Sequence, residues 1–105
     1  MKTILLVCSA GMSTSLLVSK MQKVAETKNI ESDISAVSAS EVDQIMAKKD
    51  IDVLLLGPQV RYMKPQFDKK MAGKNIPVDS IDMKDYGMMN GENVLAQAIK
   101  LIENK

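Results

Sequence analysis

At 105 residues, with 46% apolar side chains, the chain is long enough for one hydrophobic core, and 14 basic against 13 acidic residues leave a net charge of only +1. That balance, with two tyrosines, one phenylalanine and no tryptophan, argues against a nucleic-acid binder, which needs a basic patch and stacking rings. One cysteine and no histidine exclude an internal disulfide, a Cys-His or Ser-His catalytic pair within this polypeptide, and all-cysteine or histidine metal sites.

The first element predicted is a buried strand over residues 3–8, because Ile4 to Val7 are all apolar. Small and hydroxyl residues follow, and Ser13 or Thr14 is expected to cap a helix running to about Lys28, with Leu17, Met21, Val24 and Ala25 on its inner face. Residues 31–37 read as a second strand, with Ile34 and Ala36 on one side and Asp33 and Ser35 on the other. Ser40-Glu41-Val42-Asp43 resembles a capping box that opens a short helix through Val42, Ile45 and Met46.

Ile51 to Leu56 is the second strongly apolar strand, ended by Gly57-Pro58. Val60, Met63, Phe67 and Met71 then recur at helical spacing, and Pro65 forces a break or a fresh N-terminus. Residues 76–78 form a short strand whose proline suits a sheet edge. Residues 80–90 read as a loop in which Asp82 and Asp85 serve as loop or cap residues. The last helix runs from about Gly91 to Glu103, with Val94, Leu95, Ala98, Leu101 and Ile102 facing inward.

Strands alternating with helices imply a three-layer α/β fold: a four-stranded parallel sheet with helices on both faces. The two all-apolar strands belong in the centre, which gives the order 2-1-3-4. Ligands in such sheets sit beyond the carboxyl ends of the strands, where the connections diverge. Here that point lies between strands 1 and 3. It brings Cys8 and its loop beside Gly57-Pro58-Gln59, with residues 80–90 nearby.

Cys8 is therefore the candidate nucleophile. It ends a buried strand and faces a loop and a helix N-terminus, where backbone N–H groups and the helix dipole favour a thiolate or a bound phosphate. The bland alternative is a small buried core cysteine. Gln59 and Arg61 are candidates for the edge of the site or for partner contact, against the alternatives of a loop residue and a solvated charge. Tyr86 either anchors its loop by packing or touches a partner. Met21, Met46 and Met71 are expected in the core. Met12, Met63, Met88 and Met89 fall near the active edge, where flexible apolar side chains suit changing partners.

The run Cys8-Ser9-Ala10-Gly11-Met12-Ser13-Thr14-Ser15-Leu16-Leu17-Val18 resembles the phosphocysteine loop of lactose/cellobiose- and chitobiose-type enzyme IIB components of the bacterial phosphoenolpyruvate-dependent sugar phosphotransferase system. Val53-Leu-Leu-Leu-Gly-Pro-Gln59 and the stretch from Asp82 through Tyr86-Gly87 to Gly91 extend the resemblance over nearly the whole chain. It implies one IIB-type domain, residues 1–105, acting as a phosphoryl carrier. A phosphohistidine on a IIA protein donates to Cys8, and phospho-Cys8 passes the group to a (di)saccharide carried by a membrane IIC component. The family's phosphorylated cysteine corresponds to Cys8. The amides of Ser9, Ala10, Gly11, Met12, Ser13, Thr14 and Ser15 would cradle the phosphate, with hydroxyls of Ser13, Thr14 or Ser15 adding donors.

The absent histidine fits this relay, because the donor imidazole belongs to another chain. No cofactor, metal or nucleic acid is implied. The unpaired thiol suits a reducing cytoplasm, no apolar run nears the roughly 20 residues of a membrane span, and Met1 to Val7 is too short for a leader. A cytoplasmic protein that meets the membrane only through IIC is expected.

The spacing is also similar to low-molecular-weight phosphatases, which share a comparable fold and use a Cys-x5-Arg-Ser/Thr loop. Six residues after Cys8 stands Thr14, where that arginine would clamp the phosphoryl oxygens. A hydrolase using Cys8, Asp82 or Asp85, and Arg61 is the alternative. A redox or binding module built on Cys8 is a third.

Overall fold

The computed structural model describes residues 1–8 and 11–104, and the side chains of Met12 and Ser13 lie outside that description. Strand β1 (Lys2–Cys8) runs into helix α1 (Gly11–Thr27), and strand β2 (Ser32–Ser38) leads through a 3-10 turn (Ala39–Glu41) to helix α2 (Val42–Lys48). Strand β3 (Val53–Leu56) is followed by a 3-10 segment (Pro58–Met63) and helix α3 (Lys64–Ala72). Strand β4 (Val78–Ser80), the short helix α4 (Met83–Gly87) and helix α5 (Gly91–Glu103) complete the order.

All three strand pairings are parallel and the order is β2-β1-β3-β4, as expected. Alternation along the strands divides the interior into two cores. Ile4, Leu6, Ile34, Val53 and Leu55 face α1 and α5, meeting Leu17, Met21, Val94, Leu95 and Ala98. Leu5, Val7, Leu54 and Leu56 face α2 and α3, meeting Val42, Phe67 and Met71. From Ile4 to Cys8 in β1, and throughout β3, the central strands are apolar and buried because both faces are covered.

Several boundaries differ from expectation. Helix α1 begins at Gly11, so Ser13 and Thr14 stand inside its first turn, past the cap position. The fourth strand lies two residues later than the apolar triplet suggested. Pro77 stays outside it, and its carbonyl accepts from the Leu54 amide at 3.0 Å. The capping box does not form at Ser40. Instead the Ser38 hydroxyl donates to the Glu41 carboxylate at 2.8 Å, and no side chain caps α2. Pro65 does open a fresh helix within its first turn. Residues 80–90 are not simply a loop, because Asp82 nucleates α4 by accepting from the Lys84 and Asp85 amides.

One close contact brings α5 against α1. A Cβ added at Gly91 would stand 2.8 Å from the Lys20 carbonyl carbon and 2.9 Å from the Met21 nitrogen. Glycine therefore lets the start of α5 touch the backbone of α1.

Candidate functional site

The candidate site lies at the carboxyl ends of β1 and β3, the two strands from which connections leave in opposite directions. Cys8 is the last residue of β1 and is 2% exposed. Its position continues the parity of Ile4 and Leu6, the α1/α5 side of the sheet. The thiol donates a weak hydrogen bond to the Val37 carbonyl of β2 at 3.8 Å.

Of the loop residues predicted to surround a phosphate, Ser9 and Ala10 lie outside the described residues. Gly11, Met12 and Ser13 form the opening of α1. The first N–H groups of any helix have no partner inside it, so this opening presents donors and the positive end of a 17-residue helix. Ser15 is exposed. Thr14 is 1% exposed, and its Oγ1 lies 3.1 Å from Tyr86 Oη, one hydrogen bond shared by two hydroxyls.

Tyr86 comes from α4 and is 8% exposed, packed in the α1/α5 core. Its Cε2 lies 3.8 Å from where a Gly57 Cβ would be. Gly57 closes the second wall by donating its amide to the Val7 carbonyl at 2.8 Å. The same imaginary Cβ would lie 3.4 Å from Gln59 Oε1, so the exposed Gln59 side chain folds back over Gly57. Arg61 is exposed and lines an open groove of about 670 Å³ with Pro58, Ser80, Ile81, Asp82, Met83 and Lys84.

Thr14, Tyr86, Gly57 and Gln59 thus meet at one edge with Cys8, while Arg61 faces the neighbouring groove beside β4. The pairing of Thr14 with Tyr86 joins residues 72 positions apart, and no local signal announces it. Helix α4 was signalled only by Asp82. Exposed apolar side chains surround this edge: Leu16 on α1, Tyr62 after β3, and Met83 and Met88 around α4. Met21 and Met71 are buried in the core and Met46 packs against it, as expected. Among the described residues no cluster of acidic or cysteine side chains could hold a metal ion, and no helix is long and apolar enough to cross a membrane.

Residues 3–97 match the family model for the lactose/cellobiose-specific IIB subunit of the PTS system. The chain is 50% identical over 104 residues to the PTS system galactose-specific EIIB component of Lactococcus lactis subsp. cremoris (strain MG1363), covering 96% of each chain. The cellobiose-specific EIIB component of Lactococcus lactis subsp. lactis (strain IL1403) matches to the same extent, 50% over 104 residues and 96% of each chain. The solution structure of a cellobiose-specific phosphotransferase IIB component from Borrelia burgdorferi aligns with a TM-score of 0.80 at 43% identity, over 99% of this chain and 94% of that one.

Proposed function

The chain belongs to the lactose/cellobiose-specific IIB family of sugar phosphotransferase systems, and from that premise we propose that Cys8 is its phosphorylated residue. Cys8 Sγ attacks the phosphorus of a phosphohistidine on a IIA protein. The N–P bond breaks as the S–P bond forms, and the thiol proton ends on the departing imidazole. A hydroxyl of a (di)saccharide held by a membrane IIC component then takes the group, breaking S–P and forming O–P, and its proton returns Cys8 to the thiol. Amides of residues 9–15 stabilise the phosphoryl oxygens in both steps.

The observation that carries this is the seat of Cys8: the end of a central strand, at the switch point, against the opening of α1. Thr14 supplies a hydroxyl where a phosphatase would need a guanidinium, and a hydroxyl cannot clamp two oxygens as a fork. A carrier gains nothing from the fast hydrolysis such a fork promotes.

Gln59, folded over Gly57, borders the approach to the cysteine, and Arg61, on the neighbouring groove, serves partner contact. Relatives named for galactose and for cellobiose are equally identical to this chain, so we assign the choice of sugar to IIC. Residues 1–105 act as one IIB-type domain in the cytoplasm, meeting the membrane only through IIC.

The test is peptide-level mass spectrometry after incubation with phosphoenolpyruvate, the general relay proteins and a IIA partner. A phosphoryl mass on the Cys8 peptide, absent from Cys8→Ser, is expected. An unmodified Cys8 in a chain that steadily hydrolyses an aryl phosphate would overturn the carrier in favour of the hydrolase.

A further inference from the structure

We infer that Tyr86 is a positioning residue for phosphoryl transfer: its phenolic O–H donates to Thr14 Oγ1 and so turns the Thr14 proton toward the phosphoryl group on Cys8. This rests on the carrier function proposed above and assigns Tyr86 a role inside the site instead of on the partner surface.

Thr14 is the one fully buried polar side chain among the described residues, apart from Cys8 and Tyr86. Burying a hydroxyl is unfavourable unless it is hydrogen-bonded, and valine would fill the same shape without that penalty. The chain keeps the hydroxyl here and brings it a partner from 72 residues away, at 3.1 Å. The partner is buried too, and its Cε2 lies 3.8 Å from where a Gly57 Cβ would stand; the Gly57 amide donates to the carbonyl of Val7, the neighbour of Cys8.

Each hydroxyl has one proton. The phenol is the more acidic of the two and the better donor. When it donates, Thr14 Oγ1 is the acceptor and its own proton is free to point elsewhere. Thr14 stands in the first turn of α1, six residues after Cys8 and on the same side of the sheet. A proton held there by an oriented, buried donor meets developing negative charge without having to reorganise.

The experiment measures single-turnover transfer from phospho-IIA to Cys8 at several donor concentrations, with a melting curve for each variant. Tyr86→Phe keeps the ring and removes the donor. Its saturating rate is expected to fall about two- to tenfold, the kinetic equivalent of one net hydrogen bond, with the half-saturating IIA concentration unchanged. Thr14→Val is expected to fall at least as far, and Thr14→Ser to retain most of the wild-type rate. The double variant Tyr86→Phe/Thr14→Val should be no slower than Thr14→Val alone, because the two hydroxyls act as one unit.

A wild-type rate in Tyr86→Phe overturns the inference. So does a loss confined to half-saturation, which would mark Tyr86 as a partner contact, and so do losses that multiply in the double variant. If the wild-type chain itself takes no phosphoryl group from phospho-IIA, the carrier function has failed and this inference with it.

Discussion

Two connections leave the carboxyl edge of the sheet, one after β3 and one after β1, and the described amides of the two differ. The loop after β3 commits them to the fold. Gly57 donates to the Val7 carbonyl at 2.8 Å, Pro58 has no N–H, and Val60 donates back to the Gly57 carbonyl at 3.0 Å. The loop after β1 leads directly into the 17 residues of α1, whose first amides have no partner within the helix. The difference separates two jobs. In the carrier proposed above, the opening of α1 supplies donors to the phosphoryl group, while the connection after β3 holds the Gly57 and Val60 amides within the fold and lays Gln59 over Gly57.

Substitutions on the two sides sharpen the contrast. The largest effect is expected from Cys8→Ser, which should abolish phosphoryl acceptance on the Cys8 peptide while the circular dichroism spectrum stays that of the parent. Next is Gly91→Ala, which acts on the first loop from outside it. The new methyl would collide with the backbone at Lys20 and Met21 and must lift α5 from α1. We expect a loss of about 1–3 kcal/mol in urea unfolding, the usual range for overpacking, with transfer to Cys8 slowed because α1 is displaced.

The smallest effect belongs to the second loop. Gly57 has φ −63° and ψ 156°, which alanine adopts without strain. The added methyl would meet the Val7 carbonyl oxygen at 3.3 Å and the movable Gln59 side chain at 3.4 Å. Reduced freedom of the unfolded chain and a tight contact then oppose each other. Gly57→Ala should change stability by less than about 1 kcal/mol and leave phosphoryl acceptance intact. Loss of acceptance in Gly57→Ala, with the fold retained, would break the division between the loops.

Much of this arrangement was legible in the residues. The unbroken apolar runs Ile4–Val7 and Val53–Leu56 had to be central, which set the order of the sheet and put Cys8 at its switch point. The amphipathic run from Gly91 to Glu103 announced α5 almost to the residue. What escaped was short or distant. Helix α4 has five residues, too few for a periodic pattern, and only its Asp82 cap was visible. The hydroxyl rule put the start of α1 at Ser13 or Thr14, but the backbone turns helical at Gly11 and the Thr14 hydroxyl is engaged by Tyr86. That contact depends on how α4 packs across the sheet edge, which no local spacing encodes. The groove holding Arg61 and Lys84 likewise forms only once β4 and α4 are in place.

The decisive measurement is an amide NMR comparison of the ¹⁵N-labelled chain before and after phosphorylation by phospho-IIA. If the first loop holds the phosphoryl group, the largest shifts fall on the amides of residues 9–15, with Gly57 and Val60 moving less. Shifts centred on residues 57–61, with residues 9–15 unmoved, would contradict it.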